Sequence, residues 1–142
     1  MKGIEDKRIL VTGASSGIGQ AIAIRLAAEG GRVGINFFRS LEGAEATRDV
    51  IQGADSRHAP ILLPADLADE SCVDSMFDHF LDEMGGIDIL INNAAWQAEC
   101  PSHETSRSAF EAILATNLMG AFHSAQRTLS NLRQESRPGV II

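Results

Sequence analysis

The chain has no tyrosine among its 142 residues, one tryptophan and only two cysteines. With no phenolic side chain, it cannot by itself supply a tyrosine as a proton donor. Cys72 and Cys100 lie far apart and share no metal-ligand spacing, so they read as free thiols in a reducing cytoplasm rather than as a disulfide framework. No apolar run approaches the ~20 residues that a membrane-spanning helix needs. The start, Met1-Lys2-Gly3-Ile4-Glu5-Asp6, has no apolar signal core, which agrees with a cytoplasmic setting. Basic residues are also scarce. Twelve Lys and Arg stand against nineteen Asp and Glu, a net charge of −7, and this argues against nucleic acid or an anionic membrane as a partner. The histidines, His58, His79, His103 and His123, share no ligand spacing, so no metal site is expected and each reads as a surface or satisfied core residue. No repeat, low-complexity tract or linker interrupts the chain. What remains is ordinary globular composition, 44% hydrophobic and 22% charged with mean hydropathy near zero. That is enough for one domain burying ~68–70% of its unfolded surface.

Strand and helix signals alternate from one end to the other. Arg8-Ile9-Leu10-Val11 is a short apolar run ending in a glycine turn, which predicts a buried strand. Ile18 to about Glu29 predicts a helix stopped by Gly30-Gly31, Arg32–Phe38 a second strand, and Leu41 to about Gln52 a polar helix closed by Gly53. His58–Leu63 predicts a third strand with Pro60 inside it and Pro64 just after, which assigns it to a sheet edge. Val73, Met76, Phe77, Phe80, Leu81 and Met84 mark an amphipathic core helix, and Ile87–Ile91 a fourth strand. Ser108-x-x-Glu111 has the form of a capping box. The single helix it opens, running to about Arg133, carries Phe110, Ile113, Leu114, Leu118, Phe122, Leu129 and Leu132 on one face. Gly139-Val140-Ile141-Ile142 begins a fifth strand. Alternation of this kind predicts parallel strands joined by right-handed crossovers, an α/β doubly wound sheet of Rossmann type. Ligands in such sheets bind beyond the C-terminal ends of the strands.

The first of those ends carries Thr12-Gly13-Ala14-Ser15-Ser16-Gly17-Ile18-Gly19. Gly13 permits a sharp exit from the strand, Gly17 presents no side chain to obstruct a phosphate, and Gly19 permits close packing of the helix. Ser15, Ser16 and Ile18 complete a turn whose backbone N–H groups, with the helix dipole behind them, suit a pyrophosphate. A purely structural turn would look similar in isolation. The absent Lys-Ser/Thr pair excludes a P-loop.

T-G-x-x-x-G-x-G in this position resembles the cofactor motif of the short-chain dehydrogenase/reductase family. Asp66-Leu67 after the third strand, Asn92-Asn93-Ala94-Ala95 after the fourth and Asn117 in the long helix extend the resemblance over essentially the whole chain. Asn36-Phe37-Phe38-Arg39-Ser40 and Ser102-His103-Glu104 look most like glucose 1-dehydrogenases and 3-oxoacyl reductases within that family. The resemblance implies a sheet order of 3-2-1-4-5 and a cofactor bound by Gly13, Ser15, Ser16, Gly17, Ile18, Gly19, Arg39, Ser40, Asp66, Leu67, Asn93, Ala94 and Ala95. It further implies hydride transfer between a nicotinamide and a carbonyl or alcohol substrate, and a homo-oligomer, dimer or tetramer. Asn117 is implied as a catalytic residue holding a water of a proton relay, although a core Asn bonded to a helix carbonyl is the plainer reading. Family members carry N-N-A-G where this chain has Ala95. Their catalytic Ser and Tyr-x-x-x-Lys fall beyond the fifth strand, so residues 1–142 are expected to be the dinucleotide-binding domain without the catalytic part, and inactive alone.

Cofactor choice rests on the second strand's exit. An Asp or Glu there would bond the ribose 2′-OH of NAD and repel a 2′-phosphate. Here no acid lies between Asn36 and Ser40, whereas Arg39 offers a planar fork of donors and Ser40 a hydroxyl. NADP(H) is therefore expected, with NAD possible; Arg39 as a solvated loop residue is the bland alternative. Asp66 is placed to accept from the adenine amino group or to cap the next helix. Trp96, Gln97, Glu99 and His103 border the substrate side or are plain loop residues. A methyltransferase would call for an acid after the second strand and has no use for Asn92-Asn93-Ala94-Ala95. A non-catalytic dinucleotide-binding module is the competing function.

Overall fold

A computed structural model describes residues 3–54 and 56–142; Met1 and Lys2, read above as part of a leaderless start, lie outside the described residues. Five strands form one sheet: β1 (Arg8–Val11), β2 (Arg32–Phe37), β3 (Ile61–Pro64), β4 (Ile89–Ile91) and β5 (Val140–Ile141). Their order is β3-β2-β1-β4-β5, with every pairing parallel. Ile9 lies opposite Val33 on one side and Ile89 on the other. Because successive side chains alternate between faces, β1 feeds two cores. Ile9 and Val11 join Val33, Ile35 and Ile91 under α1 (Gly17–Ala28) and α2 (Leu41–Gly53). Leu10 joins Leu63, Leu90 and the Val73, Met76, Phe77, Phe80 stripe of α3 (Glu70–Met84) on the other face.

Proline sets the third strand's bounds. Pro60 lies before the strand rather than inside it, and Pro64 is its last residue, paired with Phe37. The strand occupies the edge that two prolines require. The third helix opens at Glu70, earlier than its apolar stripe, because the Asp69 carboxylate accepts from Ser71 N and Cys72 N at 2.8 and 3.3 Å.

The long C-terminal helix departs from expectation in three ways. Its cap is Ser106, which accepts from Ala109 N at 3.1 Å, so Ser108 lies inside the helix. Its Glu111 pairs with Arg107 rather than closing a capping box. It is also not continuous: α4 (Arg107–Leu114) passes into a wider π-type stretch, Ala115–Gly120, before α5 (Ala121–Gln134). Most important, the apolar face points outward. Gly120, Ser124, Thr128 and Leu132 are buried, whereas Phe110, Leu118, Met119, Phe122 and Leu129 are exposed. The inward stripe has a spacing of four residues and small side chains, which let the helix approach closely; a Cβ on Gly120 would lie 2.6 Å from the Leu67 carbonyl oxygen. Ion pairs then clasp α5 to α3, since Asp74 accepts from Arg127 at 3.0 Å and contacts His123 at 3.1 Å. The hydrogen bond with His123, joined by the charge of Arg127, holds the Asp74 carboxyl below its ordinary range.

Candidate functional site

Strands β1 and β4 end side by side, and their exits are locked together. The buried Thr12 hydroxyl accepts from Asn93 N at 2.9 Å and Ala94 N at 3.0 Å, while Asn93 Nδ2 donates to the carbonyls of Thr12 and Gly13 at 2.9 and 3.1 Å. Gly13 adopts φ +63°, and a Cβ there would lie 2.8 Å from the Ala94 Cα; one on Gly19 would strike the Asn93 amide and the Gly13 carbonyl. Glycine is therefore demanded twice by how closely the first turn packs on the second.

From the opposite side the turn is held by Asn36, a role that the sequence alone did not suggest. Its side-chain Oδ1 accepts from Gly13 N at 3.1 Å and its main-chain oxygen from Ala14 N at 2.8 Å. Nδ2 donates to the Leu63 and Ala65 carbonyls at 3.1 and 3.4 Å. Thr47, fully buried on α2, lies 3.1 Å from the Ala14 carbonyl and accepts from Gln20 Nε2 at 2.8 Å.

The first two N–H groups of the turn are spent on Asn36, and Gln20 N returns to the Ser16 carbonyl. Ser15, Ser16, Gly17, Ile18 and Gly19 N–H have no partner among the described residues. Side chains cap α2, α3 and α4, yet the Ser16 hydroxyl makes no cap bond to α1. Free helix-start donors carry the positive end of the helix dipole, which attracts an anion.

These donors open on a cleft of about 1020 Å³ beyond the ends of β1 to β4. Every residue assigned above to the cofactor lines it, from the glycine turn through Arg39, Ser40, Asp66 and Leu67 to Asn93, Ala94 and Ala95. Asn36, Phe38, Ala65, Ala68, Trp96, Gln97, Ala112 and Thr116 also line it; Asn117, Glu99 and His103 do not take part. Arg39 lies over the Phe38 ring, 5.0 Å from its centroid, and has no carboxylate partner among the described residues. Ser40 serves as the cap of α2, accepting from Gly43 N at 3.3 Å, so its hydroxyl proton remains available. Asp66 is not a helix cap. Asp69 has that place, and Asp66 accepts from Ala68 N at 2.9 Å in a tight local turn at the cleft edge.

Asn117 is not a core asparagine bonded to a helix carbonyl. It sits in the π-type stretch, exposed rather than buried among apolar neighbours. Its Oδ1 accepts from Trp96 N at 2.8 Å and its Nδ2 donates to the Trp96 carbonyl at 2.9 Å. The amide thus grips the main chain after β4 and pins the segment that carries Trp96 and Gln97 past the cleft.

The model of the short chain dehydrogenase family matches residues 7–142. Among curated proteins, 3beta-hydroxysteroid dehydrogenase 1 of Eggerthella lenta is 35% identical over 98% of this chain and 52% of its own. The 3-oxoacyl-acyl-carrier-protein reductase FabG of Staphylococcus aureus is 37% identical over 96% of this chain and 54% of its own. The chain therefore spans about half the length of these curated relatives. Among solved structures, a short chain dehydrogenase of Burkholderia cenocepacia in complex with NADP superposes with a TM-score of 0.82 at 35% identity, covering 90% of this chain and 51% of that one. A short-chain type dehydrogenase/reductase of Mycobacterium marinum gives 0.90 at 29% identity, covering 97% and 55%. Sheet order, motif positions and these matches agree: the chain belongs to the short-chain dehydrogenase/reductase family of oxidoreductases.

Proposed function

We propose that residues 1–142 form the NADP(H)-binding part of an oxidoreductase that moves hydride between a nicotinamide and a carbonyl or alcohol substrate. The observation that carries this reading is the run of five N–H groups, Ser15 to Gly19, without a partner among the described residues, on residues lining a cleft with no acid at the exit of β2. Gly17, at φ +55° with open space where a Cβ would stand, leaves the pyrophosphate room to approach the backbone. Arg39, already stacked on Phe38, presents its guanidinium fork to the 2′-phosphate, with the Ser40 hydroxyl beside it. Asp66 and Leu67 form the adenine side and Asn93, Ala94 and Ala95 the nicotinamide-ribose side. When bound, the cofactor supplies or takes up the hydride; the chain's own residues only hold and orient it. The NADP in the Burkholderia relative's structure supports the choice of cofactor.

Titration of nicotinamide fluorescence is expected to give tighter binding of NADPH than of NADH. Arg39→Asp should weaken NADPH by about tenfold or more and reverse the order, since a charge-assisted contact to phosphate is exchanged for repulsion. Equal affinity of the unaltered chain for both cofactors would remove Arg39 from the site.

Self-association belongs to the same reading. Leu118 in the π-type stretch, Phe122 and Leu129 on α5, and Val140 and Ile142 at the sheet edge are each half or more exposed. Exposed apolar side chains and an open strand edge favour pairing with a second copy. Size-exclusion chromatography with light scattering is expected to find an oligomer that persists in high salt, because apolar contacts are not screened. A monomer would contradict it.

A further inference from the structure

We propose that Asn36 is a positioning residue for dinucleotide binding, fixing the phosphate turn and the adenine wall at one separation. The inference rests on the dinucleotide reading above. Asn36 is 2% exposed and sits at the end of β2, between the exits of β1 and β3. One side of its amide accepts from Gly13 N at 3.1 Å, at the start of the phosphate turn. The other side donates to Leu63 and Ala65, whose carbonyls bracket the exit of β3 just before Asp66 and Leu67. Its main-chain oxygen takes the next turn donor, Ala14 N, at 2.8 Å.

Asparagine is the residue this place calls for. A carboxylate accepts from Gly13 but then faces two carbonyl oxygens with no proton to offer. An apolar isostere leaves one donor and two acceptors without their partner. A hydroxyl is too short to reach both strands. Asn36 also takes the first two turn donors, Gly13 and Ala14 N–H, and leaves those of Ser15 to Gly19, residues that line the cleft. An enzyme that binds a rigid two-ended ligand gains affinity when both subsites are held at the right span before binding.

Two measurements test this together. In the unaltered chain, amide hydrogen exchange followed by NMR should show Gly13 and Ala14 protected and Ser15 to Gly19 fast, with the latter slowed on adding NADPH. Asn36→Leu and Asn36→Asp should each weaken both NADPH and adenosine 2′,5′-bisphosphate by about tenfold. The β1 and β4 amides should keep their protection in both variants, a local signature that general destabilisation would not give. A folded Asn36→Leu chain binding NADPH within about threefold of the original overturns the proposal. So does a Gly13 amide that exchanges as fast as Ser15 in the unaltered chain, and this reading stands even where neither variant folds. If the unaltered chain binds no dinucleotide while Gly13 is protected, the functional reading fails and the clamp survives as structure.

Discussion

The purified 142-residue polypeptide is expected to bind NADPH and yet turn over no ketone, sugar or alcohol. Hydride transfer to a carbonyl leaves an alkoxide that must gain a proton, and the reverse reaction must lose one. A positioned acid or base for that step contributes roughly 10²–10⁴-fold. Among the described residues, the ionisable side chains lining the cleft are Arg39, after β2, and Asp66, after β3. No tyrosine exists anywhere in the chain. The histidines do not replace it: His58 pairs with Asp6, His123 with Asp74, His103 lies beside Glu104, and none lines the cleft. Asn117, the one residue the family resemblance assigns to the relay, has its amide committed at both atoms to Trp96. The assay is loss of nicotinamide absorbance with a panel of carbonyl substrates, run beside a binding titration on the same sample. Turnover from a preparation that mass spectrometry shows to contain this polypeptide alone would defeat the expectation. Binding without turnover would agree equally with a non-catalytic dinucleotide-binding module.

Where sequence reading succeeded, the signal was local. β1 and its glycine turn are a continuous apolar run followed by residues whose backbone demands are met within a few positions, and their bounds were found almost to the residue. The edge position of β3 followed from two prolines. Where the reading failed, the deciding contacts join residues distant in the chain. Asn36 bonds partners 23, 27 and 29 positions away, so its role was invisible to any window along the sequence. The face of α5 was misjudged because its sequence carries two stripes. Hydrophobicity favoured Leu118, Phe122 and Leu129, but the requirement for close approach to α3 and the sheet selected Gly120, Ser124 and Thr128. The same error placed Asn117 in a core that does not exist on that side. The residues assigned to the cofactor line one cleft because they lie at or just after the ends of β1 to β4, which topology alone brings together.

Replacing Asp88 with alanine is expected to cost roughly 3–5 kcal/mol of folding stability, the usual result of leaving a buried charge without its partner. Arg8 opens β1 and Asp88 immediately precedes β4, each one residue before the Ile9–Ile89 pair, at the end of the sheet remote from the cleft, and they are 7% and 5% exposed. Asp88 Oδ2 accepts from both the backbone N and the Nε of Arg8 at 2.9 Å. Its Oδ1 accepts from Arg8 Nη2 at 3.1 Å and Arg137 Nη2 at 2.8 Å, while Glu135 takes Arg8 Nη2 at 3.2 Å. Arg8 Nη1 donates as well to the Gly85 carbonyl. The network therefore ties β1, the end of α3, the start of β4 and the segment from α5 into β5. Burial pushes the Asp88 carboxyl up, but the hydrogen bonds and charge of Arg8, with Arg137, outweigh it and hold the group below its ordinary value. The same contacts hold the Arg8 guanidinium above its own. A carboxyl depressed by folding stabilises at pH above its unfolded value, about 3.9, and that stabilisation fades as pH falls through the lower folded value. Urea unfolding across the acid range should thus show a decline below about pH 4 that is smaller in Asp88→Asn. The double variant Arg8→Met, Asp88→Leu removes both charges and should recover most of what Asp88→Ala loses, because no ion is left buried alone. In each variant the folded fraction should bind NADPH as before, the network lying at the opposite end of the strands. An Asp88→Ala chain within about 1 kcal/mol of the original would mean that water already reaches Arg8 and that this network does not hold the two halves of the sheet together.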